Sequence, residues 1–257
     1  PAAKVAAVKA LVVEGRVEAV FQPISGLDST IIGYEALSRP HPEYGLAGPQ
    51  EAFEVAEQIG NAAQLDRACR RAICAAAASL PSGATVFINV SPYSLTHHAF
   101  SAANLIDELA RAGLDPARVV LEVTEVSRVR PQSIASALVD LKAGGVRVAL
   151  DDVGSGNNGL EMLRRVPVDF VKVDRAVIDA AMRDPAGRGA LMAILAFASE
   201  ARSVVIAEGI DNESTLAFVR GIGDQAEQLP KMFIHGVQGF YVGRPAPAAA
   251  LCLSAVA

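Results

Sequence analysis

Residues 146–156 read VRVALDDVGSG. An apolar, β-branched run ends in two adjacent carboxylates, Asp151 and Asp152, and Gly154, Ser155 and Gly156 follow. A short apolar run bounded by glycine is a strand signal. Two like charges held this close raise each other's pKa unless a cation keeps both ionised. A barrel strand that ends in this way usually aims its last side chains at bound metal. The stretch therefore raises the question of what the other strands carry at their ends.

Similar runs recur along the chain: EAVFQPI (18–24), TIIGYEALS (30–38), ATVFINVS (84–91), RVVLEVTE (118–125), DFVKVD (169–174), SVVIAEG (203–209) and QGFYVG (238–243). Helical patterns separate most of them. Residues 131–144 place Ile134, Leu138 and Leu141 on one face, with Pro131 suited to a first turn and Gly144-Gly145 to a stop. Residues 187–201 and 213–221 read the same way. Residues 61–80, with Leu65, Ala68, Ala72, Ile73 and Ala76, form another helix stopped by Pro81. Alternating strands and helices predict a parallel sheet. Eight such strands predict a closed (β/α)8 TIM-like barrel of the α/β class rather than an open doubly wound sheet, because no G-x-G-x-x-G follows the first strand. The first two runs are joined only by a short polar link. A parallel return needs about a dozen residues or more, so one antiparallel strand is expected near the start. Residues 1–16 are expected to be a lead-in helix or linker from an upstream domain, and 17–257 the barrel domain.

The chain of 257 residues is 51% hydrophobic and 20% charged, much of the apolar fraction is alanine, and tryptophan is absent. The net charge is −5, and no Lys/Arg block is present. Duplex nucleic acid held by counterion release is therefore not an expected partner. The longest apolar stretches, such as 190–198, fall short of the ~18–20 residues that span a bilayer. No signal-peptide pattern opens the chain, so this segment is expected to be cytoplasmic and to make no membrane contact, although the full-length protein could be tethered through other segments. Cys69, Cys74 and Cys252 are odd in number, lack CxxC spacing and are expected to be reduced, buried thiols.

The C-terminal ends of the strands carry the chemistry, on the face where barrel enzymes build their sites. They offer Glu35, Asn89, Glu122, Glu125, Asp151, Asp152, Lys172, Asp174, Glu208 and, from the last strand, Gln238. Carboxylates at that density are costly to ionise with only Lys172 and Arg39 as nearby cations. Divalent metal supplies the balance. The donors are oxygens, with no His or Cys, which selects Mg²⁺ or Mn²⁺. Adjacent Asp151 and Asp152 suit two ions about 3.5–4 Å apart, an arrangement that activates water and stabilises in-line phosphoryl displacement. Phosphodiester hydrolysis is the natural candidate. Lys172 would hold the attacking water or neutralise transition-state oxygens; a structural salt bridge from Lys172 to Asp174 or Asp152 is the plainer reading, and the two can coexist.

The segments YEALSR (34–39), FINVSP (87–92), LEVTE (121–125), DDVGSG (151–156), DFVKVD (169–174), AEGI (207–210) and QGFYVGRP (238–245) resemble the EAL domain of bacterial cyclic di-GMP phosphodiesterases. The resemblance runs from about residue 17 to 246. It implies a (β/α) barrel with one reversed strand and Mg²⁺- or Mn²⁺-dependent hydrolysis of cyclic di-GMP to linear pGpG. It also implies that Glu35, Asn89, Glu122, Asp151, Asp152 and Glu208 hold metal or its waters. Lys172 would contact the nucleophilic water, and Gln238 would complete the water network, so Glu35, Lys172, Glu208 and Gln238 are the expected catalytic residues. Gln22, Pro23, Leu37, Arg39 and Asp174 would face the substrate, Arg39 as a guanidinium fork on phosphate. Glu125 would anchor the loop after Asp152 and couple metal binding to a homodimer. An upstream sensory or GGDEF-type domain is a further expectation.

The sequence departs from the family after the acid pair, where the usual DDFGTGYSSL becomes DDVGSGNNGL. Ser155 keeps a hydroxyl, Val153 loses packing, and Asn157-Asn158-Gly159 tolerates unusual backbone angles. Asp211 stands where the family often has Glu. His235, and His97-His98 at an expected helix start, are read as structural. A receptor or interaction module that has lost catalysis is the alternative, favoured only by the altered loop. A barrel of the enolase type is disfavoured by Asn89 and the other motif matches.

Overall fold

The computed structural model describes residues 2–98, 100–124, 129–155, 161, 164–165, 168–225 and 233–254, without the side chains of 131, 223–225 and 252–254. Eight strands close into a barrel in sequence order: β1 (Val17–Gly26), β2 (Ile31–Pro40), β3 (Val86–Asn89), β4 (Val119–Thr124), β5 (Arg147–Val153), β6 (Phe170–Val173), β7 (Val204–Ala207) and β8 (Gly236–Val237). β1 runs antiparallel to both β2 and β8, while the remaining neighbours are parallel. The short link after β1 therefore makes the expected hairpin.

Helices cover the outside: α1 (Ala2–Glu14), α2 (Pro49–Gln58), α3 (Ala62–Ala77), α4 (Pro92–Thr96), α5 (Ala102–Arg111), α6 (Pro131–Ala143), α7 (Arg175–Arg183), α8 (Pro185–Ala201), α9 (Glu213–Gln225) and α10 (Ala248–Ser254). Their starts follow local chemistry. Pro131 opens α6 at a position whose N–H has no helical partner. Asp174 and Asp184 cap α7 and α8 by accepting from the backbone N–H groups of Ala176 and Gly187. Gly187 lies so close to the Ala180 backbone that a Cβ would sit 2.3 Å away, which lets α7 and α8 turn tightly on one another. Leu138 and Leu141 of α6, Leu191 and Leu195 of α8 and the outward faces of β3–β7 form one continuous core. A smaller cluster joins Val8 and Leu11 of α1 to Val55 of α2 and Leu65 of α3.

Inside the barrel the strand period of two sets the layers. Ile24, Phe87, Val120, Ala149, Phe170 and Ile206 form an apolar plug, in which Phe87 and Phe170 meet edge to face at 5.0 Å. Gly33 and Gly236 leave room for it: a Cβ on Gly33 would lie 2.9 Å from the Phe87 ring, and one on Gly236 would lie 2.6 Å from Ile32. Two residues beyond each plug or glycine position, the next inward layer consists of Glu35, Asn89, Glu122, Asp151, Lys172, Glu208 and Gln238. On the reversed strand the step runs the other way, from Ile24 back to Gln22.

Three local expectations change. The last strand ends at Val237, and residues 239–242 form a turn instead of a strand. Gly239 presses against Ile210, where a Cβ would lie 2.2 Å from the Ile210 carbonyl oxygen, and that close approach bends the chain. On α3 the buried face is Leu65, Asp66, Cys69, Arg70, Ile73 and Cys74; Ala68, Ala72 and Ala76 are only half-buried. His97 and His98 follow α4 instead of opening a helix, because Pro92 starts that helix directly after β3. His235, read as structural, accepts from the Val205 N–H through Nδ1 at 3.0 Å, and its main-chain N–H donates to the Val205 carbonyl at 2.8 Å. Burial lowers its pKa.

Candidate active site

Lys172 Nζ sits at the centre of the polar layer, with the residue 1% exposed. Four carboxylates from four strand ends surround it: Glu208 at 2.7 Å, Glu122 at 2.9 Å, Asp151 at 3.1 Å and Glu35 at 3.4 Å. Burial acts to lower the pKa of the ammonium, but these charges together raise it well above the usual range. Lys172 does not pair with Asp152 or Asp174, the partners the plainer reading gave it. Asp174 turns its carboxylate to the first turn of α7 at 2.7 Å from Ala176 N.

One ammonium cannot neutralise this set. Burial pushes Glu208 up to about 8, although Lys172 opposes the shift. Burial likewise raises Glu122 well above the carboxylate range, and Asp151 above its ordinary value. Burial and then the Asp151 charge push Asp152 up to about 6. Glu35 is the exception: burial acts to raise it, but Lys172 and the amides of Gln238 and Asn89 together bring it below the ordinary value. Asn89 Nδ2 donates to one Glu35 oxygen at 3.1 Å, and Gln238 Nε2 donates to the other. Neither Glu122 oxygen has a hydrogen bond beyond its ion pair with Lys172.

Asp151, Asp152 and Glu208 place carboxylate oxygens within 4.8 Å of one another. Hard, oxygen-only donors with excess negative charge fit divalent Mg²⁺ or Mn²⁺. Adjacent residues of a regular strand face opposite ways. The pair converges because Asp152 adopts a left-handed backbone, φ 56°, at a register shift between Leu150 and Val153. Strain of this kind persists only where surroundings hold it. Ser155 donates to the Asp152 carbonyl through both N and Oγ, at 3.1 and 2.8 Å. Thr124 Oγ1 donates to the Asp152 carboxylate at 3.4 Å. Gly154, at φ +97°, rests where a Cβ would be 2.3 Å from Val177. Glu125 and residues 157–159 lie outside the described residues.

Beside the acids opens a cavity of about 290 Å³ lined by Leu37, Arg39, Phe53, Asp66, Asn89 and Ser91. Arg39 donates to the Ser38 carbonyl at 3.0 Å. Gln22 is 8% exposed and Pro23 is buried against Gly243. Asp211 accepts from Phe240 N and Arg175 Nη1, tying together the loops after β6, β7 and β8. Sequence reading missed Asp66, a buried carboxylate on α3 that pairs with Arg70 and accepts from Ser91 N. The signal was an i,i+4 acid–base pair flanked by Leu65, Cys69 and Ile73. Cys69 and Cys74 are free and buried, and burial pushes both thiols up to about 11; the Cys252 side chain lies outside the described ones.

Comparison with known proteins agrees with this geometry. The EAL domain family matches residues 5–245. The cyclic di-GMP phosphodiesterase NbdA of Pseudomonas aeruginosa is 34% identical over 248 residues, covering 93% of this chain and 30% of the relative. The bifunctional diguanylate cyclase/cyclic di-GMP phosphodiesterase MucR of the same organism is 31% identical over 249 residues, covering 91% of this chain and 34% of the relative. The chain thus spans about a third of the length of these relatives. Among solved structures, the PaMucR phosphodiesterase in a c-di-GMP complex superposes with a TM-score of 0.81 at 26% identity, covering 96% of this chain and 99% of the other. The manganese/cyclic di-GMP complex of Klebsiella pneumoniae BlrP1 gives 0.77 at 26% identity, covering 90% of this chain and 56% of that one. With an acid-rich mouth built on the ends of a barrel that has one reversed strand, the chain belongs to the EAL-domain family.

Proposed function

We propose that this domain hydrolyses cyclic di-GMP to linear pGpG, lowering the level of that second messenger. The observation that carries the reading is the buried Lys172 held among Glu35, Glu122, Asp151 and Glu208, with Asp152 beside them. Divalent ions bound to Glu35, Asn89, Glu122, Asp151, Asp152 and Glu208 would supply charge stabilisation and an acidified water. Lys172 holds a water oxygen or a phosphoryl oxygen by its ammonium and keeps its own proton. Gln238 fixes the Glu35 carboxylate and offers an amide oxygen to a water proton. In the net reaction a water oxygen forms a bond to phosphorus, one P–O3′ bond breaks, and the departing O3′ takes a proton. The cavity between Leu37, Arg39 and Asp66 suits one half of a dinucleotide, with Arg39 on phosphate; Gln22, Pro23 and Asp174 do not line it, and their contact with substrate rests on family membership.

Homodimerisation, with Glu125 anchoring the loop after Asp152, a cytoplasmic location, and regulation by an upstream sensory or GGDEF-type module rest on family membership. No helix among the described residues is long and apolar enough to cross a membrane. The boundary at residue 17 is part of the same proposal, although the family match begins at residue 5 and α1 packs on α2 and α3. The test is incubation of the purified domain with cyclic di-GMP and Mn²⁺ or Mg²⁺, following pGpG by chromatography. Binding without turnover would replace the hydrolase reading by a receptor one, and absence of binding would sink both.

A further inference from the structure

Gln238 Nε2 donates to Glu35 and to Gln22 Oε1, the latter at 3.2 Å. Both amide protons are therefore committed. Its Oε1 is buried and has no protein partner. Gln22 stands directly across from Glu35 in the β1–β2 register, and its own Nε2 donates to the Gly243 carbonyl at 3.0 Å.

A side-chain amide can turn over and exchange its donor and acceptor ends; a main-chain carbonyl cannot. The Gly243 carbonyl only accepts, so the Gln22 amide must face it with nitrogen and face Gln238 with oxygen. That oxygen only accepts, so Gln238 must face Gln22 and Glu35 with nitrogen. One backbone atom thus sets the direction of the whole chain. Gly243 is itself fixed: its N–H donates to the Gly239 carbonyl at 3.0 Å, and a Cβ on it would lie 2.3 Å from Pro23. A reversed Gln238 would press its oxygen on the Glu35 carboxylate and leave Gln22 unpaired, which is costly for groups 4% and 8% exposed.

We infer that Gln22 is a positioning residue: with the Gly243 carbonyl it holds the Gln238 amide in one orientation, so that Gln238 Oε1 is presented as a fixed acceptor at the polar layer. This role differs from the substrate contact expected of Gln22 above. Its catalytic consequence rests on the hydrolase reading, where the acceptor orients the attacking water; the orientation itself does not.

Two measurements test it on the whole domain. The first is solvent exchange of the Gln238 side-chain NH₂ by NMR, the signal assigned by its loss in Gln238→Met. Both protons exchange slowly in the unaltered domain, and in Gln22→Met at least one exchanges on the order of tenfold faster. Equal exchange in the two proteins overturns the inference. The second is steady-state hydrolysis of cyclic di-GMP with Mn²⁺. Gln22→Met lowers kcat on the order of tenfold, within the roughly 100-fold that a misplacement of about 1 Å costs, and leaves KM nearly unchanged. It adds no further loss to Gln238→Met. A raised KM with kcat kept, or losses that multiply in the double variant, marks Gln22 as a substrate contact only and overturns the role. If Gln22→Met does not fold, Gln22→Asn keeps the amide but is one methylene short of spanning both partners, and replaces it in both measurements. If the unaltered domain does not turn over cyclic di-GMP, the proposed function falls while the exchange comparison still decides the orientation.

Discussion

Replacing Lys172 by methionine keeps an unbranched side chain and deletes the charge. Four carboxylate oxygens lie 2.7–3.4 Å from Nζ. At about 3 Å and an effective dielectric of about 20, each contact carries about 5 kcal/mol of attraction. The full sum is not lost, because abandoned carboxylates can take up protons. Breaking a buried charge network from one side instead costs about 3–5 kcal/mol. For a chain of this size that lowers Tm by about 10 °C. The sign with pH follows from the raised carboxylates. Glu208 is already up to about 8 with Lys172 present, and removing the ammonium raises it and its neighbours further. The folded variant then binds protons more tightly than the unfolded chain, so its stability falls as pH rises above the ordinary carboxylate range. The deficit is therefore small near pH 5 and largest near pH 8, and millimolar Mn²⁺ narrows it at pH 8. Thermal melts of both proteins across that range, with and without Mn²⁺, measure it. Equal melting at pH 8, or a deficit independent of pH, would refute the view that the ammonium holds this cluster together.

Glu35→Gln should lower hydrolysis of cyclic di-GMP by about 100-fold or more while melting within a few degrees of the parent; loss of folding would make Glu35 a structural residue. Stabilisation by Mg²⁺ or Mn²⁺ should grow between about pH 6 and pH 8.5, because Asp152, near 6, and Glu208, near 8, must lose protons to bind metal; metal-induced Tm shifts that shrink with pH contradict the donor set. Gly154→Ala meets Val177 at 2.3 Å and an unfavourable φ of +97°, so it should cost about 1–3 kcal/mol and weaken Mn²⁺ binding in calorimetry about 10-fold or more; unchanged affinity would show that the seat of this loop does not position Asp152.

Strand-and-helix alternation and the short first link made the barrel and its reversed strand legible in the sequence, because both rest on spacing. The acids and Lys172 were legible as strand ends, and the strand period of two then dictates that they share a layer above the apolar plug. What spacing does not carry is which group pairs with which. Lys172 and Asp174 are two apart at the end of β6, which looks like a pair, yet Asp174 lies just beyond the strand and caps α7. The buried face of α3 was not legible because alanine gives little amphipathic contrast, and Asp66 with Arg70 was hidden on that side. The end of β8 depends on Gly239 meeting Ile210, a contact between distant segments that local propensity cannot register. Gln22 reads as a substrate contact by motif; its bond to Gly243 joins positions 221 residues apart.

The inverted first strand also changes where the polypeptide arrives. In a barrel of uniform direction, the chain reaches its first strand on the side away from the chemistry. Here Val17 pairs with Pro40 and Gly26 with Gly236, so β1 begins at the mouth and runs toward the floor. α1 is joined to that beginning and is fastened to the rim beyond β2: Tyr44 donates to Glu14 at 2.9 Å, and Arg16 grips Glu43. A force or rotation applied through α1 is thus delivered to the acid-lined mouth of the barrel, one short strand segment from Gln22 and Glu35.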